Sequence, residues 1–164
     1  MGHKKLFSVL ALSCLVLWGC GGGGGPAAPQ DSATVLAKYA GTWIACASWQ
    51  SPSGPESEQT TWTLVKRTDK LALTSSSVLQ KAADCKGGVA GEPRKLDFLV
   101  SFEGHKTVSG EVVDKVIYSR PDQTLRGFFW LAENGHLYTD AQGSFDAQGF
   151  PDAFNFTPLV RMAD

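Results

Sequence analysis

The stretch Leu96-Asp97-Phe98-Leu99-Val100-Ser101-Phe102-Glu103 sets Leu96, Phe98, Val100 and Phe102 against Asp97, Leu99, Ser101 and Glu103. Successive side chains of a strand point to opposite faces, so this period of two describes a strand with an apolar face and a wetter one. The same reading holds outward in both directions. Thr60, Trp62 and Leu64 share one face of a strand whose other face carries Thr61 and Thr63. Further candidate strands cover 42–49, 70–78, 108–119, 124–132, 136–139 and 154–161, about eight in all. Turn chemistry separates them at Ser53-Gly54-Pro55, Gly87-Gly88, Arg120-Pro121-Asp122 and Glu133-Asn134-Gly135; Asn-Gly suits a tight hairpin because both residues tolerate positive φ. Only 31–39 reads as helix, with Asp31 or Ser32 as its cap and Val35, Leu36 and Tyr39 at helical spacing. Short strands at this spacing with almost no helix indicate an all-β domain, either an antiparallel sandwich or a closed barrel.

One motif tips the balance toward the barrel. Tyr39-Ala40-Gly41-Thr42-Trp43 sets a G-x-W at the start of the first strand, just after the helical segment, and resembles the lipocalin and wider calycin superfamily. The resemblance implies an eight-stranded antiparallel up-and-down barrel with a short N-terminal helix, closed at one end by a tryptophan that packs near a basic residue of the last strand. Gly41, Trp43 and Arg161 occupy those positions. A guanidinium over an indole contributes roughly 0.5–2 kcal/mol. The chain is shorter than a typical lipocalin and has no second or third family motif. It looks more like the small lipocalin-like lipoproteins of bacterial envelopes. An eight-stranded barrel has room for its own side chains or for one small ligand. Trp62, Leu71, Leu73, Phe98, Phe102, Phe129 and Tyr138 are the residues that either line such a pocket or fill the core.

The front of the chain reads as an address. Lys4 and Lys5 precede an apolar run over 6–18, followed by Gly19, Cys20 and five glycines. That run is too short for a membrane-spanning helix, which needs about 20 apolar residues, but it fits a secretory h-region. Leu17-Trp18-Gly19-Cys20 resembles the lipobox of bacterial lipoproteins, although Trp18 stands where a smaller residue is usual. The resemblance implies a signal peptide over 1–19, acylation (palmitate included) of Cys20 as the new N-terminus, and membrane attachment through that lipid. Gly21 stands where an Asp would favour inner-membrane retention, which implies the outer membrane, facing the periplasm. Residues 20–30, rich in Gly and Pro, form a tether, and 31–164 form the barrel domain.

Removal of 1–19 takes away Lys4 and Lys5 and leaves thirteen basic against sixteen acidic side chains. Basic residues cluster only as Lys66-Arg67 and Arg94-Lys95, which argues against a nucleic-acid partner. Cys14 leaves with the signal and Cys20 takes lipid, so Cys46 and Cys85 remain as an isolated pair in an exported domain, the setting for a disulfide. Their spacing matches neither a C-x-x-C redox motif nor a zinc knuckle. The repeat Asp140-Ala141-Gln142-Gly143, Asp146-Ala147-Gln148-Gly149 fits type I turns better than calcium ligation, since the EF-hand alternation of acids is missing. Catalysis has little support: His105 and His136 are the histidines of the mature chain, both read as exposed near turns, and G-x-S-x-G and H-E-x-x-H are absent. The expectation is a non-catalytic protein without cofactor or metal that binds a small hydrophobic ligand. The alternative is protein recognition, as an inhibitor of a lysozyme-type enzyme or an accessory of envelope assembly, through 49–58 or 143–154.

Overall fold

The carboxylate of Asp31 accepts the Ala33 N–H at 3.1 Å and caps α1 (Ser32–Ala37). The computed structural model describes residues 31–141 and 143–163; the lipobox, Cys20 and the tether lie outside the described residues. After α1 come β1 (Gly41–Ser51), β2 (Gly54–Lys66), β3 (Leu71–Gln80), β4 (Arg94–Val108), β5 (Glu111–Arg120), β6 (Gln123–Leu131), β7 (Leu137–Thr139) and β8 (Val160–Arg161). All eight strands join one antiparallel sheet in the order β7-β6-β5-β4-β3-β2-β1-β8. The chain is therefore all-β with a single short helix among the described residues.

Several boundaries differ from the sequence reading. The stretch 108–119 is not one strand, because the chain reverses at Ser109-Gly110, whose φ angles of 50° and 91° are both positive, as a two-residue hairpin requires. The last expected strand shrinks to Val160–Arg161, since Pro158 has no N–H to give to a ladder. The helix stops two residues short of Tyr39, whose side chain turns into the core. Gly104, read as part of a turn, lies within β4 at φ 102°, where the register with β5 shifts between Phe102 and His105.

Two faces of the sheet are buried to different depths. The inner face brings Trp43, Leu64, Leu71, Leu73, Val100, Val116, Tyr118, Phe129 and Leu137 into one cluster with Leu36 and Tyr39, so the sheet curls around them. Each fully buried side chain of this size contributes roughly 1.5–3 kcal/mol. The two outer strands of the sheet also approach each other: Leu137 and Leu159 exchange both backbone hydrogen bonds, at 2.9 and 2.8 Å. On the outer face, Val108, Val113 and Phe128 pack against Phe154, Trp130 and Tyr138, beneath the connection from β7 to β8.

A lysine holds that connection in place. Lys106 Nζ donates to Asp146 Oδ2 at 2.6 Å and to the Pro151 carbonyl at 2.8 Å. Asp146 Oδ1 accepts the N–H groups of Gln148 and Phe150, at 3.0 and 2.9 Å, which closes the turn. The Lys106 hydrogen bond, with these N–H groups, holds the Asp146 carboxyl below its ordinary range. A depressed carboxyl contributes stability that is complete above its unfolded value near pH 4 and is lost as pH falls through the lower folded value. Urea midpoints measured at neutral pH and near pH 3 should therefore show Asp146→Asn weaker than the parent at neutral pH and closer to it in acid. An equal gap at both pH values would refute the linkage.

Candidate functional site

One end of the curled sheet is filled and held by polar contacts. Gly41, at φ 133°, lets the chain enter β1 where a Cβ would press on Arg161 Nη1 at 3.1 Å. Arg161 lies 4.4 Å from the centre of the Trp43 ring and donates to the carbonyls of Ala40 (2.9 Å) and Lys38 (2.7 Å), while Trp43 Nε1 donates to the Tyr39 carbonyl at 2.9 Å. Beside them Asp114, 4 % exposed, accepts the Tyr39 hydroxyl at 2.6 Å and meets Lys38 Nζ and His105 Nδ1, each at 2.7 Å. A buried carboxylate is costly unless both its oxygens are engaged, and here they are. Burial, reinforced by Asp114, pushes the Tyr39 phenol far above its ordinary value, so the hydroxyl remains a donor. The group ties the helical end of the chain to β4 and β5. His105, expected to be exposed near a turn, is exposed but stands within β4, in contact with a buried acid.

The opposite end of the inner face is open. Moving away from α1, the inward positions change from Leu64 and Leu71 to Trp62 and Leu73, then to Thr60, Ser75 and Leu96. Here Trp62, Leu73, Ser75, Leu96, Phe98 and Tyr118, with Leu125, Thr139, Asp140 and Asn155, border a cavity of about 310 Å³. A second recess of about 250 Å³ shares Trp62, Thr139 and Asn155 with it and extends to Ala45, Ala47, Glu58 and Thr60. Another depression, about 410 Å³, shares Leu73 and Phe98, but its other walls include the outer-face residues Ala72, Thr74 and Leu99. It is a surface trough and not part of the interior.

The rings at the open end meet at steep angles. Trp62 and Tyr118 lie 6.4 Å apart at 71°, Phe98 and Tyr118 6.0 Å apart at 73°, and Tyr118 and Phe129 5.8 Å apart at 77°. Edge-to-face pairs of this kind lock one another's rotamers. Gly127 of β6 faces inward beneath Tyr118, and a Cβ at that position would collide with both the Tyr118 ring and the Asp140 carboxylate. A glycine inside a strand commonly marks such a close approach. Asp140 is half-buried, with Oδ1 accepting the Phe128 N–H at 3.3 Å. Burial raises its carboxyl above the ordinary range, against the opposing pull of backbone N–H groups. Burial and the nearby Asp140 likewise raise the Tyr118 hydroxyl.

The candidate lining residues separate into groups. Trp62, Leu73 and Phe98 border the cavity. Leu71 and Phe129 are fully buried below it and form core, not wall. Phe102 packs on the inner cluster at the other end, 5.0 Å from His105. Tyr138 faces the other way: Leu137 and Thr139 turn inward, so their neighbour in the strand packs on Trp130 and Phe154 outside. Sequence reasoning missed Tyr118, Gly127 and Asn155 and read Asp140 as a turn residue; the available signal was the lone glycine within a strand. The three aspartates of the repeat region do not converge, since Asp146 meets Lys106, Asp152 accepts the Ser144 hydroxyl, and Asp140 enters the cavity. Among the described residues no cluster of three or more His, Cys, Asp or Glu side chains could hold a metal ion.

On the outer face of β1, Cys46 and Cys85 have their sulfur atoms 2.04 Å apart, a disulfide. The segment 49–58, considered above as a recognition loop, is instead the β1–β2 hairpin, in which Trp49 pairs with Glu56. Comparison of the chain with protein-family models, with curated proteins and with solved structures finds no match.

Proposed function

We propose that this chain is a lipid-anchored, non-catalytic protein of the bacterial envelope whose lipocalin-like barrel holds a small, largely apolar ligand at its open end. The observation that carries the reading is the cavity of about 310 Å³, bordered by Trp62, Phe98 and Tyr118 above an otherwise filled interior. An apolar cavity of about half that size is enough to hold benzene. Barrel closure is supported by the paired backbone hydrogen bonds of Leu137 and Leu159, and the lipocalin likeness by Arg161 over Trp43. The anchor rests on the lipobox resemblance of Leu17-Trp18-Gly19-Cys20. The ten residues between Cys20 and Asp31 can span at most about 35 Å.

Fractionation joined to native mass spectrometry tests this reading. The full chain should sediment with outer membranes, Cys20→Ala should move it to the soluble fraction still folded, and the extracted protein should carry a co-purified hydrophobe. Cytosolic recovery of the parent would end the anchor reading, and a uniformly ligand-free protein that also takes up no added hydrophobe would end the binding reading. Protein recognition remains the second reading, favoured by Phe145 at 57 % and Phe156 at 88 % exposure on the β7–β8 connection.

A further inference from the structure

We propose that the ligand of this cavity is an organic amine, whose protonated nitrogen sits between the Asp140 carboxylate and the rings of Trp62 and Tyr118. The inference rests on the binding reading above and specifies the chemical class of the ligand.

Asp140 differs from the other aspartates withdrawn from solvent. Asp114 meets Lys38 and His105, and Asp146 meets Lys106, so each has a cation supplied by the protein. Asp140 is held by backbone N–H groups only, that of Phe128 at 3.3 Å and its own, and no Lys, Arg or His among the described residues pairs with it. A half-buried carboxylate in that state opposes folding, because desolvation disfavours its charge and backbone N–H groups compensate only in part. The direction of its shift agrees with this. The fold nonetheless makes room for it: β6 has a glycine at 127, the inward position where a methyl group would displace both Asp140 and Tyr118.

The surrounding groups suit an organic cation. Aromatic ring faces attract ammonium groups, and the attraction grows as water is excluded. Trp62 and Tyr118, at 71° to each other, and Phe98, at 73° to Tyr118, border the same space as the Asp140 carboxylate. Leu73 and Leu125 extend the wall for an apolar body. The other charges nearby do not neutralise Asp140. Glu58 adds a second acid in the adjoining recess, Arg126 borders with Asp140 and Tyr118 the depression on the β7–β8 side but lies over the Phe150 ring and forms no ion pair with Asp140, and Arg120, over Phe98, is engaged by Asp122. A metal ion is a poor fit, since calcium needs six to eight oxygen ligands and the cavity presents one carboxylate with the neutral side chains of Ser75, Thr139 and Asn155.

The test uses the full chain in a nonionic detergent and three water-soluble probes of similar size, measured by calorimetry near neutral pH: 2-phenylethylamine, 2-phenylethanol and phenylacetate. The amine should bind at least about tenfold tighter than the alcohol, with the carboxylate weakest. Asp140→Asn, which keeps the shape of the side chain, should bring amine and alcohol to within about twofold, and Trp62→Ala should weaken both. An alcohol that binds the parent as tightly as the amine, or a preference that survives in Asp140→Asn, overturns the amine inference and leaves the cavity reading standing. If no probe binds protein that native mass spectrometry shows to be free of co-purified hydrophobe and detergent, both readings fall.

Discussion

Trp43→Ala is expected to lower the free energy of unfolding by about 3–5 kcal/mol, the usual cost of removing a buried aromatic from a packed core. Trp43 is fully buried at the end of the sheet where α1, β1 and β8 meet. Truncation removes three things at once: the apolar area of the indole, the surface on which Arg161 lies, and the Nε1 hydrogen bond to the Tyr39 carbonyl. The last leaves a buried acceptor without its donor, which costs a further fraction of the total. Trp43→Phe should recover part of the loss, because it keeps a ring beneath Arg161 but no donor. Urea midpoints for the three proteins would show the order. A Trp43→Ala midpoint within error of the parent would mean that this end of the sheet is not the cooperative core.

The second large effect is expected at the disulfide. Joining residues 39 apart in sequence limits the unfolded chain, and the chain-entropy model assigns about 4 kcal/mol to a loop of that size. Cys46→Ala with Cys85→Ala should therefore lower the melting temperature by roughly 15 °C for a domain of this length. Position matters as much as loop length. Cys46 is on the outer face of β1 and Cys85 on the long β3–β4 connection, whose backbone is also held by the Cys85 N–H to the buried Ser57 hydroxyl at 3.1 Å. The bond thus fastens that connection to the sheet without entering the inner core, and ligand binding at the open end should survive its removal. Thermal scans of the parent with and without reductant provide the same comparison. Coincident scans would show that the connection is held by its other contacts.

What could be read from the sequence depended on how far apart the deciding atoms lie along the chain. The alternation from Leu96 to Phe102 depends only on neighbouring residues, and it recovered β4 in part, although the mouth of the cavity leaves Leu96 at 46 % exposure despite its inward position. Glu133-Asn134-Gly135 turns where expected, with Gly135 at φ 78°. Ser109-Gly110 was overlooked because Val108, Val112 and Val113 on either side resemble one continuous apolar strand. The pairing of Cys46 with Cys85 followed from counting, since no other cysteine lies within 31–164.

By itself, then, the sequence determined an all-β chain with one capped helix, a disulfide, and the suggestion of a lipid-bearing front end, because alternation, caps, turns and cysteine number are local or countable. Tertiary structure alone decided which aromatics are wall and which are core, that Tyr138 faces outward, and that Asp114 meets Lys38 and His105 while Asp140 pairs with no Lys, Arg or His among the described residues. Tyr39 and Asp114 stand 75 residues apart, and Phe128 lies in β6 while Asp140 follows the end of β7. Whether a carboxylate is compensated depends on which strands curl together, and a residue's own neighbours in the chain carry no record of that.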